Sequence, residues 1–309
     1  MTHPVFELPP VGESTVPAAP PEPQIQAPAR SVRPTHFATR YRDVIRREER
    51  EPEISIGVVV PFDFDLDWEY WRYMPAGVSL YFTRTPHVNK PVGLTLAREV
   101  GKPSMVMRAT RALNALKPAA TLYACSSGSF IRGVAGEQRL REGMLQAGAR
   151  RAVTTSGAML EAFQAAGARK IAVATPYTER LTMALVHFIE EAGYEVVSAH
   201  YLGLSHDIGR VSRGTVADLI REASRPDADA VFLSCTALRT YGILAQLEDE
   251  IDLPVFTSNQ VSFWAGLHHA DALAPSLERE DGWVLGGGNP MARSTRLLLD
   301  AVHEERISA

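Results

Sequence analysis

The chain contains two cysteines, Cys125 and Cys235, and each follows a short apolar run and precedes small polar residues. The surrounding segments are Cys125-Ser-Ser-Gly-Ser129 and Cys235-Thr-Ala237. This pattern is typical of a turn between a buried strand and a helix, where free backbone N–H groups attract an anion. The same field lowers the pKa of a thiol. The sequence therefore predicts two reactive thiols, each beside a site for a carboxylate.

The two cysteines belong to a repeat in which three segments recur in the same order. Ile56-Gly-Val-Val-Val-Pro61 matches Ile171-Ala-Val-Ala-Thr-Pro176 at an offset of 115 residues. The segments that end at the two cysteines are offset by 110 residues, and Val153–Ser156 is offset from Phe256–Asn259 by 103. Such a long period indicates a duplicated domain rather than a solenoid. The duplication favours a matched pair of active-site thiols over the alternative of two small buried hydrophobes.

Short apolar runs alternate with amphipathic stretches from Ile54 onward, which indicates βαβ units and parallel sheets. Strands are predicted at Ile54–Val60, Val78–Thr83, Ala120–Ala124, Ala152–Thr154, Lys170–Ala174, Glu195–His200, Ala230–Ser234 and Pro254–Thr257. Helices are predicted at Trp68–Tyr73, Ser104–Leu116, Glu137–Ala147, Gly157–Ala166, Tyr177–Ala192, Arg213–Ser224, Tyr241–Glu250, Val261–His269 and Pro290–Glu305. In open parallel sheets ligands bind at the carboxyl ends of the strands, which is where both cysteines lie.

The composition limits the class of protein. The 309 residues are 45% hydrophobic and 22% charged, with a formal net charge of −4, which gives no electrostatic reason to expect nucleic acid or membrane as a partner. No apolar run approaches the roughly 20 residues needed to span a bilayer, and the N-terminus does not resemble a secretory signal. Two cysteines cannot build a disulfide framework, so we expect a cytoplasmic protein.

The cysteine motifs resemble those of the aspartate/glutamate racemase superfamily, and most closely its maleate cis–trans isomerase and arylmalonate decarboxylase-like branch. The resemblance covers roughly residues 54 to 270. The segments that carry it are Gly57-Val-Val-Val-Pro61, Tyr123-Ala-Cys125-Ser-Ser-Gly-Ser129, Ala174-Thr-Pro-Tyr177, Ser234-Cys-Thr-Ala-Leu-Arg-Thr240 and Leu253-Pro-Val-Phe-Thr-Ser-Asn-Gln260. It implies an α/β fold of two pseudosymmetric domains, each a parallel sheet flanked by helices. It also implies one active site in the inter-domain cleft, no metal or organic cofactor, and a homo-oligomer, either dimer or tetramer.

The resemblance also implies roles for individual residues. Cys125 resembles the nucleophile of the family, and Cys235 resembles its partner acid/base. The residues that match positions binding the substrate carboxylate are Ser126, Ser127, Tyr177 and Thr236.

The sequence departs from the family pattern at four further positions that we also place at the substrate. Phe64 stands where maleate isomerases have an asparagine, and with Phe62 it makes the expected pocket more apolar. His206 follows the sixth predicted strand, where a second family asparagine is missing. Ala237 stands where amino-acid racemases have a histidine.

Three reactions are compatible with these residues. The first is isomerisation of a small unsaturated dicarboxylate such as maleate or a relative, with Cys125 adding to the double bond and Cys235 moving the proton. The alternatives are decarboxylation of a disubstituted malonate and racemisation by two-base proton exchange. A carboxylate-binding protein without catalysis is the alternative from another class.

Three regions are predicted along the chain. Residues 1–53 form a proline-rich extended arm followed by a charged linker, because this composition cannot bury enough apolar surface to fold alone. Residues 54–151 together with 260–309 form the first α/β domain, since the last helices return to the first domain in the superfamily. Residues 152–259 form the second domain.

Overall fold

Two four-stranded parallel sheets form the framework of residues 54–75, 77–273 and 291–308, the part of the chain described by a computed structural model. The predicted arm and linker, residues 1–53, lie outside the described residues. The strands are β1 Ile54–Val60, β2 Val78–Arg84, β3 Ala120–Tyr123, β4 Ala152–Thr154, β5 Lys170–Tyr177, β6 Glu195–Leu204, β7 Ala230–Leu233 and β8 Val255–Thr257. All of the pairings within the two sheets are parallel, which confirms the predicted α/β class.

The two sheets have the same strand order, and the register of β1–β3 and β3–β4 is the same as that of β5–β7 and β7–β8. The order is β2-β1-β3-β4 in the first sheet and β6-β5-β7-β8 in the second. Equivalent pairs are Ile56 with Ala120 and Ile171 with Ala230, then Thr121 with Ala152 and Val231 with Val255. These pairs reproduce the sequence offsets of 115, 110 and 103 residues. The repeat in the sequence is therefore a repeat in the structure, and it makes the ends of β3 and β7 equivalent.

Helices flank both sheets. Their bounds are α1 Asp67–Tyr73, α2 Leu94–Val100, α3 Pro103–Leu113, α4 Ser126–Phe130, α5 Gly133–Gln146, α6 Thr155–Ala165, α7 Glu179–Glu191, α8 Arg213–Ala223, α9 Leu244–Ile251, α10 Ser258–His269 and α11 Arg293–Ser308. Most lie within a few residues of the predicted ranges. Two of them, α2 and α4, are absent from the sequence-based predictions. The second of these is rich in serine and glycine, which have poor helix propensity, so tertiary contacts form it.

Tyr177 corrects one sequence-based boundary. The sequence places it at the start of a helix, but it is the last residue of β5. Pro176 disfavours helical backbone at Thr175, so the strand continues through the proline and the helix starts at Glu179. The extension puts the Tyr177 side chain at the carboxyl end of the second sheet.

The predicted boundary at residue 152 divides the first sheet. β4 begins at Ala152 and pairs with β3, so it belongs to the first sheet rather than to the second domain. α10 follows β8 of the second sheet and packs against β3 and β4 of the first. The chain therefore returns to the first sheet after the second is complete. The assignment of the chain to two domains stays a prediction.

The central strands carry the core. β1, β3, β5 and β7 are almost continuously apolar and buried, because helices cover both faces of each parallel sheet. Phe163, Phe232 and Phe256 pack edge to face in the second half, with ring centroids 5.6 and 6.3 Å from Phe163. This core fixes the strands whose carboxyl ends carry the cysteines.

Candidate active site

Both cysteines lie two residues beyond the ends of equivalent strands. Cys125 follows β3 and immediately precedes α4, and Cys235 follows β7. They are almost fully buried, with 4% and 9% of their surface exposed, and both thiols are free. The residual exposure of both residues faces a single cavity, which brings together two residues that are far apart in the sequence.

Hydroxyl groups fix the turn that carries Cys125. Ser129 Oγ lies 2.8 Å from the Cys125 carbonyl oxygen and 2.9 Å from that of Ser126, and it donates its single proton between them. Ser156 Oγ lies 2.6 Å from Ser129 Oγ and completes the buried cluster. The serines of the motif therefore serve two purposes, since Ser126 and Ser127 line the cavity while Ser129 holds the backbone.

Cys235 has an unusual backbone conformation. Its φ angle is +125°, a region that side-chain-bearing residues rarely adopt and that costs about 1–3 kcal/mol. The Cys235 N–H donates to Ser258 Oγ at 3.0 Å, and Ser126 Oγ donates to the same oxygen at 2.8 Å. Ser258 therefore links the turn of one cysteine to the turn of the other.

The cavity has a volume of about 510 Å³ and lies at the carboxyl ends of strands from both sheets. It brings together every site residue expected from the sequence: Cys125, Cys235, Ser126, Ser127, Tyr177, Thr236, Ala237, Phe62, Phe64 and His206. Their chemical roles stay predictions, but all of them reach one space.

The cavity wall combines aromatic rings with polar side chains. Phe62 packs edge-on against His87, with centroids 4.8 Å apart, and Phe64 packs against Tyr70 at 5.2 Å. His206 lies on the exposed side, where its Nδ1 is 2.9 Å from Ser205 Oγ. The wall therefore offers both an apolar surface and hydrogen-bonding groups.

The segment from His87 to Val92 also lines the cavity, together with Leu96 and Val100, and the sequence-based predictions missed it. The Val92 N–H donates to the Ser205 carbonyl oxygen at 2.9 Å, which ties this segment to the loop after β6. Its position after β2, at the carboxyl edge of a parallel sheet, is the signal that points to it.

Burial controls the pKa values of the two thiols. Burial raises the pKa of Cys125, although the Tyr123 hydroxyl, the Gly128 N–H and the Ser127 hydroxyl lower it. Burial, together with the negative charge of Cys125, raises the pKa of Cys235 to about 12, although the Ala237 N–H and the Tyr177 hydroxyl lower it. The sequence-based expectation that the turn lowers both pKa values is therefore wrong in net direction. Desolvation outweighs the small dipole of the one-turn helix α4 at Cys125, and no helix directly follows Cys235, since α9 begins only at Leu244.

The two thiols are unequal. The charges of two ionised sulfurs repel each other, so ionisation of either thiol raises the pKa of the other, and the pKa of Cys235 is the more strongly raised, to about 12. Cys125 therefore loses its proton first, and Cys235 stays a protonated thiol beside it. Asp63, which also lines the cavity, raises the pKa of both thiols through its negative charge.

A buried carboxylate supports the segment that follows Cys235, and sequence reasoning missed it. Glu69 in α1 is fully buried and accepts hydrogen bonds from Thr240 Oγ1 at 2.8 Å, the Thr240 N–H at 3.2 Å and Asn259 Nδ2 at 3.1 Å. Burial raises the pKa of Glu69 above its ordinary value, and these hydrogen bonds oppose the rise. The network joins α1, the Cys235 loop and α10.

Within residues 54–75, 77–273 and 291–308, no cluster of three or more His, Cys, Asp or Glu side chains has the arrangement of a metal site. The helices of those same ranges include none with the length and apolar character needed to cross a bilayer.

Comparisons with known proteins agree on one family. A family model described as "Arylmalonate decarboxylase" matches residues 104–278. Arylmalonate decarboxylase from Bordetella bronchiseptica is 28% identical over 217 residues, which cover 68% of this chain and 88% of the relative. Maleate isomerase from Geobacillus stearothermophilus is 27% identical over 114 residues, which cover 36% of this chain and 45% of that protein.

A solved structure shows the same fold. The liganded form of an arylmalonate decarboxylase double mutant, with one glycine changed to cysteine and one cysteine to serine, superposes with a TM-score of 0.64. It is 27% identical in sequence and covers 70% of this chain and 92% of its own. The matches confirm the resemblance drawn from the two cysteine motifs.

Proposed function

The chain belongs to the arylmalonate decarboxylase family, and from this premise we propose that it is an enzyme that transforms a carboxylic acid with two thiols in a cleft between its two halves. The observation that carries the proposal is the convergence of Cys125 and Cys235 on one cavity. The leading reaction is cis–trans isomerisation of an unsaturated carboxylate without a cofactor.

In this reaction the Cys125 thiolate adds to one carbon of the double bond, and the electron pair of that bond moves toward the substrate carboxylate. Cys235 donates its proton to the neighbouring carbon, which leaves a C–C single bond that rotates. The Cys235 thiolate then takes the proton back, the double bond re-forms, and Cys125 leaves as the thiolate. The pKa of about 12 supports Cys235 as the proton donor, because it keeps this thiol protonated at neutral pH.

Polar groups around the thiols support binding of the substrate carboxylate. Ser126, Ser127 and Thr236 line the cavity beside the cysteines, and the Tyr177 hydroxyl lies 3.5 Å from Ser234 Oγ. Donors placed where negative charge develops stabilise an enolate-like intermediate. The Ala237 N–H also stabilises the Cys235 thiolate that forms when the proton is transferred.

The size of the cavity favours a substrate larger than maleate. Its volume of about 510 Å³ lies in the range of pockets that hold drug-sized ligands, roughly 300–1,000 Å³. Phe62 and Phe64 supply an apolar wall. Phe64 stands at the position where the resemblance to maleate isomerases would place an asparagine. We therefore propose an unsaturated acid with an apolar substituent as the substrate class.

Decarboxylation of a disubstituted malonate is the second candidate, and both the family match and the apolar wall favour it. Here one carboxylate leaves as CO₂, its bonding electrons remain on the substrate as an enediolate, and Cys235 donates the proton to the carbon. Cys125 has no necessary part in that sequence of steps. Two-base racemisation would instead use both thiols to exchange one α-proton.

Proton NMR in D₂O with a panel of small acids separates these reactions. Isomerisation changes the alkene signals, decarboxylation converts a malonate to a monoacid with release of CO₂, and racemisation exchanges the α-proton for deuterium. Cys125→Ala abolishes isomerisation and racemisation but spares decarboxylation, whereas Cys235→Ala abolishes all three. Full isomerase activity in Cys125→Ala would refute the leading reaction.

Alkylation separates an enzyme from a carboxylate-binding protein without catalysis. An enzyme has a Cys125 thiol that reacts rapidly with iodoacetamide and is protected by substrate. Two inert thiols in a protein that still binds carboxylates would favour the binding protein.

A further inference from the structure

The Tyr123 hydroxyl occupies a position between the end of a helix and the Cys125 thiol. Tyr123 is the last residue of β3 and is fully buried, and its Oη donates to the Val100 carbonyl oxygen at 2.8 Å. Val100 is the last residue of α2, so no N–H group of the helix donates a hydrogen bond to its carbonyl oxygen. The hydroxyl therefore caps the C-terminus of α2 beside the cavity that Val100 and Cys125 both line.

Two glycines allow this close approach. A methyl group on Gly128 would overlap Tyr123 Oη and would lie 3.0 Å from Cys125 Sγ, so the hydroxyl and the thiol flank the same small space. A methyl group on Gly101, just after α2, would overlap the Gly128 carbonyl oxygen. The backbone of the Cys125 turn thus packs directly on the end of α2, and the hydroxyl and the sulfur both border the space beside Gly128.

A phenol has one proton to donate, so the Tyr123 hydroxyl can donate to only one acceptor at a time. Which acceptor it takes depends on whether Cys125 is a thiol or a thiolate. We propose that Tyr123 is a positioning residue for Cys125: its hydroxyl donates to the Val100 carbonyl while Cys125 is a thiol, and it turns to Cys125 Sγ when Cys125 is a thiolate. A hydrogen bond to a charged acceptor is roughly twice as strong as one to a neutral carbonyl. The exchange of partners is therefore favourable whenever the sulfur is ionised.

The pKa of Tyr123 supports this role. Burial raises the pKa of Tyr123 well above its ordinary value, so the hydroxyl keeps its proton throughout the range in which the thiol titrates. The same hydroxyl lowers the pKa of Cys125 against the effect of burial.

The duplication shows that this arrangement exists on one side only. The equivalent of Tyr123 in the second half is Leu233, the last residue of β7, which has no hydroxyl. Cys235 instead faces the hydroxyl of Tyr177, a residue of the cavity wall that lowers the pKa of Cys235 against the effect of burial. Tyr123 thus acts on the thiol that ionises first, and Tyr177 acts on the other.

Other titratable groups also act on Cys125, and the test must leave them unchanged. They are Asp63 in the turn after β1, Tyr70 on α1, and Tyr177 and Cys235 from the second sheet. The cavity wall adds His87, Lys90 and His206. Tyr123→Phe removes one oxygen atom and alters none of these groups.

The experiment is the pH dependence of iodoacetamide alkylation, resolved for each cysteine by peptide mass spectrometry. In Tyr123→Phe the Cys125 curve moves to higher pH, and its alkylation rate at pH 7.5 falls about tenfold, which corresponds to one pKa unit. The Cys235 curve, measured in the same sample, does not move to higher pH, because a less ionised Cys125 can only lower the pKa of Cys235. An unchanged Cys125 curve in a folded Tyr123→Phe protein overturns the proposal.

Tyr194→Phe is the matched control, because the Tyr194 hydroxyl also donates to a backbone carbonyl, that of Leu160 at 3.3 Å, outside the cavity. It leaves both curves unchanged. If Tyr123→Phe fails to fold, 3-fluorotyrosine at position 123 keeps the ring and strengthens the donor. It moves the Cys125 curve to lower pH, and an unchanged curve again overturns the proposal.

The proposal rests on the proposed function, since it assigns Tyr123 to the nucleophile of that reaction. Alkylation needs no turnover, so the two claims fail separately. A shifted Cys125 curve in a protein without isomerase activity would contradict the proposed reaction alone.

Discussion

Ser258 offers a direct test of how the two cysteine turns are held together. Its Oγ accepts one hydrogen bond from the Cys235 N–H at 3.0 Å and one from Ser126 Oγ at 2.8 Å. Ser258→Ala leaves a buried backbone N–H and a buried hydroxyl without this acceptor, at about 1–3 kcal/mol each. We expect a loss of about 2–6 kcal/mol in the free energy of unfolding. We also expect a lower kcat, because the strained backbone of Cys235 loses the hydrogen bond from its N–H to Ser258 Oγ.

Ser262→Ala is the matched control for this substitution. Ser262 lies one turn further along α10, is equally buried, and its Oγ is 2.9 Å from Thr155 Oγ, outside the cavity. Urea denaturation gives the free energy of unfolding of each variant, and steady-state kinetics gives kcat. Both variants lose stability, but only Ser258→Ala loses kcat. If Ser258→Ala were no less stable than Ser262→Ala and turned over at the wild-type rate, the linking role of Ser258 would be refuted.

Three further predictions concern the groups around the thiols. Glu69→Ala removes the acceptor of three buried hydrogen bonds and lowers the free energy of unfolding by about 3 kcal/mol or more, measured by urea denaturation; a change below about 0.5 kcal/mol would contradict this. Asp63→Asn removes a negative charge that raises the pKa of both thiols. Alkylation of Cys125 at pH 7 therefore becomes about threefold faster, which corresponds to a decrease of about half a pKa unit. A slower rate would show that Asp63 does not raise the pKa of Cys125. Phe62→Ala removes part of the apolar wall, so KM rises more for an acid with an apolar substituent than for maleate, and equal changes for both would argue against a bulky substrate.

The duplicated framework could be predicted from the sequence because the repeated strands end in recognisable short motifs. Apolar runs that end in Pro61 and Pro176, or in the two cysteines, define where strands stop. The strand register then reproduces the offsets between the repeated segments. Convergence of the predicted site residues on one cavity follows from the same logic, since the carboxyl ends of parallel strands lie at one edge of a sheet.

Other features depend on contacts between distant residues, which no local pattern reveals. Glu69 meets Thr240 and Asn259 across 171 and 190 residues of sequence. The net direction of the thiol pKa shifts depends on burial, which the turn motif alone does not report. α4 forms in a serine- and glycine-rich segment because its hydroxyls satisfy buried backbone groups, as Ser129 does for Cys125.

The central claim is that Cys125 acts as a nucleophile and Cys235 as its proton donor within one cavity. The most direct measurement is intact mass spectrometry of Cys235→Ser after incubation with unsaturated acids, followed by peptide mapping. The account predicts an increase equal to the mass of one acid, located on Cys125, because the serine hydroxyl at position 235 or water supplies the proton that completes the adduct, but no thiolate is present to take that proton back. Isomerase activity in Cys125→Ala at the wild-type rate, with no adduct on Cys125 of the Cys235→Ser protein, would contradict it.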